Sequence, residues 1–282
     1  AMFDAATGMI LDVLAAPLRS HEMSMVAWMH PSLRPGDVLV ADRGFCSYAH
    51  LALLFLGDLH AVFRIHQRVI VDFTPGRKHA PPGHKAIKGL PRSKWLRCVG
   101  IKDQIVEWYR PRSRPTWMPR AQFEQLPASL MVRELSYRIE TPGYRTREVL
   151  LVTTLLDAEI YPAEDLAELY RCRWQVEVNL RHLKQTMGMD VLHCKTPDGV
   201  RKEMLMFALV YNLVCAVIYD AAEQQGVPPD RVSFIDALRW LRTWEPDKEL
   251  LILIVNPRRR GRFEPRVVKR RPKQYKRMTE PR

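Results

Sequence analysis

Tyr170 to Lys184, YRCRWQVEVNLRHLK, is the stretch whose reading decides the fold. On an α-helix at 100° per residue with Glu177 as origin, Tyr170 falls at about +20°, Arg173 at about −40°, Arg181 at about +40° and Lys184 at about −20°. One carboxylate therefore sits in a stripe with three cations and a phenol. Leu169, Val176, Leu180, Leu183 and Met187 lie about 60° to 120° to one side and form a coherent apolar face. Such a helix rests on a core and holds a Glu at the edge of a basic surface. Two readings fit this pattern. One is a solvated ladder of i,i+4 ion pairs from Arg173 through Glu177 to Arg181, worth a few tenths of a kcal/mol per pair. The other is a functional carboxylate among phosphate-binding groups.

A second carboxylate has a different setting. Asp42 directly follows Val38-Leu39-Val40-Ala41 in DVLVADRGF. A short apolar, β-branched run reads as a buried strand, and Gly44 permits a sharp turn behind it. In open α/β sheets, ligand chemistry collects at the carboxyl ends of strands. An Asp placed there either caps the turn or ligates a metal.

Tyr170, Arg173, Glu177 and Lys184 are spaced Tyr, two residues, Arg, three residues, Glu, six residues, Lys. On this signature the chain resembles the bacterial insertion-sequence transposases of the insertion sequence four group. The strand ending in ADRGF resembles the second catalytic block of that family. VLLVTTLLD before the helix and EPRVVKRRPKQYKRMTEPR at the end are also similar, so the resemblance runs the length of the chain. It implies an α/β fold: an RNase H-like catalytic core interrupted by a β-rich insertion, with a helical C-terminal part and a basic tail.

The same resemblance implies a DDE triad in which Asp42 and Glu177 are catalytic and ligate two Mg²⁺ ions, with Mn²⁺ as a substitute. Such ions take oxygen ligands and keep waters. A pair of them about 3.5–4 Å apart clamps the attacking and leaving oxygens of an in-line phosphoryl transfer. Arg173, Arg181 and Lys184 suit phosphate positioning, Arg as a bidentate fork and Lys as a point charge. Tyr170 is placed with them, to stack on a base or hydrogen-bond a phosphate, or else to pack beside Arg173. The implied activity is metal-dependent cleavage at insertion-sequence ends followed by strand transfer into target DNA. The implied partners are transposon-end and target DNA and a second copy of the chain, in the cytoplasm and away from any membrane. A metal-dependent nuclease of the same fold and a catalytically dead DNA-binding remnant are the alternatives.

One member of the triad has no match. MFDAATGMILDVLAAPLRS reads as a hairpin with Thr7-Gly8 at its turn. Asp4 lies on the strand entering the turn and Asp12 on the returning strand, and neither is read as the first catalytic Asp. Position 1 is Ala, which fits a chain whose first core strand is missing. The expected divisions are residues 1–65 for the first part of the core, 66–148 for the β-rich insertion, 149–245 for the second part, and 246–282 for the tail. Within the insertion VIVDF, LRCVGI, IVEWYR, LMVREL and YRIET read as strands. GRKHAPPGHKAIKGLPRSKW reads as a mobile loop whose Lys85, Lys88, Arg92 and Lys94 are candidates for DNA contact. Helices are expected around 22–30, 48–56, from Pro162 through the signature, and over 199–225 and 231–243. Asp165 and Glu168 read as partners of the helix dipole, not as ligands.

Charge agrees with a polyanionic partner. The net charge is +13, and residues 257–282 hold twelve basic residues against Glu264 and Glu280. A solvated arm or an RNA-binding arm has the same composition. Five scattered Cys without a CxxC pair indicate neither a zinc site nor a disulfide framework, and fit reduced thiols. The opening residues do not read as a basic region followed by an apolar core, so no secretion signal is expected in them. Met204 to Tyr219 is free of charge but contains Asn212 and falls short of the ~20 residues of a membrane span, so it reads as a buried core helix.

Overall fold

The computed structural model describes residues 1–17, 20, 22–83, 87–138 and 148–245. It opens with the expected hairpin, β1 (Met2–Phe3) and β2 (Ile10–Asp12), which forms a two-stranded sheet of its own. Gly8 sits in its turn at φ 71°, where a side chain would be strained. Helix α1 (Met23–Val26) then tightens into a 3₁₀ segment, Ala27–Ser32, with Pro31 inside it. The single α-helix expected over 22–30 is therefore shortened, as a proline inside a helix removes a donor.

Strand β3 (Val38–Ala41), helix α2 (Tyr48–Leu56) and strand β4 (His60–Arg64) follow as a right-sized βαβ unit, with β3 and β4 parallel. The interval after β4 contributes β5 (Lys94–Gly100), β6 (Asp103–Tyr109), the short helix α3 (Arg120–Gln125) and β7 (Ser129–Arg138). β8 (Glu148–Thr153) returns to the centre. All six of these strands form one mixed sheet in the order β3-β4-β8-β7-β6-β5. The β-rich interval thus continues the sheet outward from β8. VIVDF is not a strand: Val69 and Ile70 are exposed, and Asp72 instead caps the backbone N–H of Thr74 at 2.9 Å. The loop that follows is irregular as expected but pinned. Buried Arg77 donates to the Asp72 carbonyl at 2.6 Å and to the carbonyl and hydroxyl of Ser93 at 2.6 and 2.7 Å. Lys88, Arg92 and Lys94 are exposed. Lys85 and the basic tail over 246–282 lie outside the described residues.

The sheet is covered on both faces, and alternation along each strand decides which side chain goes where. Leu39, Ala41, Ala61, Phe63, Leu150 and Val152 pack with α2. Val38, Val40, Val62, Leu151 and Leu135 pack on the opposite face with α4 (Ala163–Cys172). Ala61, Val62 and Phe63 of β4 have no exposed surface, which accounts for their uninterrupted apolar run. Burying side chains of this size contributes about 1.5–3 kcal/mol each.

The signature continues from α4 into α5 (Trp174–Arg181) and a π-helical turn, His182–Thr186. Helix α6 (Pro197–Gln225) has Thr196 as N-cap, Pro197 in its first turn and Gly226 in the left-handed conformation behind it. Helix α7 (Phe234–Arg242) packs back against it, starting three residues later than expected because Pro229–Arg231 forms a separate 3₁₀ turn. Tyr211, Val214, Cys215 and Ile218 of α6 bury against the hairpin, α7 and the π-turn. Leu205, Met206, Leu209, Leu213 and Tyr219 remain exposed, so Met204–Tyr219 is buried on one face and not all round. By length and composition α6 is the one described helix apolar enough to cross a membrane, with a third of its apolar window buried.

Candidate active site

Strand parity aims Asp42. Val38 and Val40 point to the α4 face and Leu39 and Ala41 to the α2 face, so the next residue in the alternation points toward α4. There the hydroxyl of Tyr170 donates to Asp42 Oδ1 at 3.2 Å. The Arg43 backbone N–H donates to the same oxygen at 2.8 Å. Asp42 Oδ2 has no hydrogen-bond partner among the described residues. One carboxylate oxygen therefore serves the turn and the other is left for a ligand, so the two roles open to this Asp in the sequence are compatible.

The turn behind Asp42 is built by hydrogen bonds. Phe45 N–H donates to the Asp42 carbonyl at 2.9 Å, and Ser47 caps α2 by accepting from His50 N–H at 3.2 Å. His50 Nδ1 donates to the Phe45 carbonyl at 2.9 Å, which leaves its Nε2 as an acceptor. His30 Nε2 fills that position at 2.9 Å, the two rings lying parallel with centroids 5.0 Å apart. Burial holds both imidazoles at a pKa of about 4. Gly44 has an ordinary φ with nothing within 4 Å of a would-be Cβ, so the sharp turn does not rest on its freedom.

The signature segment departs from one ideal helix. Arg173 N–H bonds the Tyr170 carbonyl at 3.2 Å and Val176 N–H bonds the Arg173 carbonyl at 3.1 Å, i→i+3 contacts that tighten the chain between α4 and α5. The π-turn then loosens it. A single helical wheel does not carry across two such changes of pitch, and Tyr170 consequently leaves the exposed stripe. It is 6% exposed and packs with Leu166, Val38 and Val40. Burial, then the Asp42 charge, push its hydroxyl pKa up, which keeps it a donor. The Arg173 guanidinium lies over the rings of Tyr170 and Trp174, 5.7 Å from each centroid. Arg173 Nη2 stands 3.6 Å from Glu177 Oε1, and its buried Nε has no partner. The Glu177 side chain is 50% exposed.

Arg173 and Glu177 are thus brought together, and through Tyr170 they adjoin Asp42. Arg181 and Lys184 are exposed, and among the described residues neither forms an ion pair with Glu177, so the ladder has one rung only. Sequence reasoning missed the pairing of Tyr170 with Asp42; its signal was the parity of β3.

Each early Asp is engaged through one carboxylate oxygen. Asp4 accepts from the Thr7 N–H at 2.7 Å and the Thr7 hydroxyl at 2.6 Å, bonds that hold its carboxyl below the usual range. Asp12 accepts from the Ser32 hydroxyl at 2.8 Å. Among the described residues no three His, Cys, Asp or Glu side chains gather as a metal cage. The free Asp42 oxygen and the half-exposed Glu177 are hard oxygen donors, which fit a Mg²⁺-type ion that binds through one or two carboxylates and retains waters.

The family described as the transposase DDE domain matches residues 1–213. The chain belongs to that family. Its mixed α/β architecture with a six-stranded sheet fits a DDE transposase fold. This family member is 33% identical over 200 residues to the transposase InsG for insertion sequence element IS4 of Escherichia coli (strain K12), covering 64% of this chain and 43% of that protein. It is 38% identical over 83 residues to the putative transposase InsL for insertion sequence element IS186A of the same strain, covering 29% and 21%. A probable transposase for insertion sequence element IS5377 of Geobacillus stearothermophilus is 29% identical over 89 residues, covering 32% and 23%. The DDE-family chain spans less than half the length of these curated relatives.

Proposed function

We propose that this chain carries the catalytic core of a DNA transposase that cleaves insertion-sequence ends and joins them to target DNA. The observation that carries the reading is the signature segment set against the strand-end carboxylate, with Tyr170 bonded to Asp42 and Arg173 beside Glu177. In this reading the core is RNase H-like, residues 66–148 are its insertion, and Asp42 and Glu177 hold two Mg²⁺ ions. The bound ions supply charge neutralisation at the scissile phosphate and activate the attacking hydroxyl. Asp42 presents Oδ2 to that site, Glu177 closes it from α5, and Arg173, beside Glu177, contributes its guanidinium charge to phosphate binding. Arg181 and Lys184, exposed on the same segment, extend the basic surface along the DNA backbone.

In this reading the third carboxylate is neither Asp4, bonded to Thr7 within the hairpin turn, nor Asp12, bonded to the Ser32 hydroxyl. The outer edge of β3 is unpaired among the described residues, and a strand pairing there would lie next to Asp42. The working unit is a pair of copies holding two DNA ends in the cytoplasm.

The test is end cleavage and strand transfer, with Mg²⁺ or Mn²⁺, on DNA carrying the element's own terminus. The chain is run beside a form extended upstream, each with Asp42→Asn and Glu177→Gln controls. Activity confined to the extended form and lost in both controls supports the reading, with the third carboxylate upstream. Activity in the chain as it stands returns Asp4 or Asp12 to the site. Hydrolysis without strand transfer makes it a nuclease, and DNA binding indifferent to both substitutions makes it a binding protein.

A further inference from the structure

We propose that Tyr170 is a positioning residue for Asp42, fixing which carboxylate oxygen meets the metal. This rests on the assignment of Asp42 as a ligand. Three observations carry it. The Tyr170 ring is buried with Leu166 and the valines of β3, and the Arg173 guanidinium lies over it, so it offers no face to a base. Its hydroxyl meets Asp42 Oδ1, the oxygen already held by the Arg43 N–H, so two donors converge on one oxygen and none of the described donors meets the other. A carboxylate so held cannot rotate freely about its terminal torsion, which is otherwise broad.

The third observation is the route onward. The Arg173 guanidinium covers the Tyr170 ring and reaches Glu177, so Asp42, Tyr170, Arg173 and Glu177 form one contiguous chain of contacts between the two carboxylates. The hydroxyl of Tyr170 is the link through which α4 reads the end of β3. Such outer partners of a ligand typically change metal affinity 10–100-fold when removed.

The experiment compares the full chain with Tyr170→Phe and Asp42→Asn, following Mn²⁺ binding by electron paramagnetic resonance of the free ion and, separately, thermal unfolding. Tyr170→Phe keeps the ring and its packing and deletes only the hydroxyl. The expected result is an unfolding midpoint close to the parent, Mn²⁺ affinity about 10-fold weaker in Tyr170→Phe, and loss of that binding in Asp42→Asn. In an end-cleavage assay of the upstream-extended form, Tyr170→Phe then raises the metal requirement about 10-fold, while the rate at saturating metal recovers. Parent-like Mn²⁺ affinity in Tyr170→Phe, with Asp42→Asn still impaired, overturns the positioning role and leaves the ligand assignment standing. Parent-like affinity in Asp42→Asn overturns the assignment and this inference with it. Weakened binding that follows a lowered melting midpoint, and is not restored by added metal, makes Tyr170 a packing residue only.

Discussion

His30 donates from Nε2 to Nε2 of His50, and His50 donates from Nδ1 to the Phe45 carbonyl behind Asp42. The relay works only with His50 neutral, because a proton on His50 Nε2 removes the acceptor. Burial holds both folded-state values at about 4, against about 6.5 in the unfolded chain. Between those values the unfolded state binds more protons, so stability falls as pH drops from 6.5 toward 4 and this pair adds no further loss below 4. For fully buried His50 the loss is on the order of 2–4 kcal/mol. Buried Glu134, whose carboxyl is pushed up, acts with the opposite sign. Denaturant titrations over this range on the parent and His50→Gln should show a shallower slope in the variant.

Asn212 closes both hydrogen bonds of Ile10. Its Oδ1 accepts from Ile10 N–H at 2.8 Å and its Nδ2 donates to the Ile10 carbonyl at 2.9 Å, so a helix side chain substitutes for a neighbouring strand. Asn212→Leu leaves two backbone groups unpartnered and should destabilise the chain by about 2–4 kcal/mol. Hydrogen exchange at the Ile10 amide should speed up before global unfolding does.

Arg133 and Asp103 form a buried pair on the sheet, and Arg133 also donates to the Tyr161 carbonyl at 2.6 Å, immediately before α4. Arg133→Met strands the Asp103 charge and should cost about 3–5 kcal/mol in urea unfolding. Adding Asp103→Leu to that variant should recover most of the loss. A double variant as unstable as the single one would mean that the Tyr161 contact dominates.

Glu177 is half exposed and its contact with Arg173 is long, so the ion pair contributes little to folding. Glu177→Gln should leave stability within about 0.5 kcal/mol of the parent while abolishing end cleavage in any active form. A large stability change would mark Glu177 as structural.

Gly44→Ala should be tolerated despite its place in ADRGF. Its φ is ordinary and the space for a methyl is open, so unfolding free energy should stay level or rise by about 0.4–1 kcal/mol.

What the sequence determined by itself was local. The apolar run of Val38–Ala41, the helical stretch of Tyr48–Leu56 and the hairpin turn at Gly8 each produced the expected element, because propensity, period and turn chemistry act within a few residues. The signature spacing likewise pointed to the family to which the chain belongs. Tertiary structure decided what lies between distant segments. It joined β5–β7 to the sheet through β8 and left VIVDF without a strand partner. It set Asn212 against the hairpin and left one face of α6 exposed. It changed the helical pitch at Arg173, and so turned Tyr170 inward onto Asp42. The physical reason is that a side chain's partner depends on sheet order, strand parity and helix offset, which the local pattern of residues does not encode.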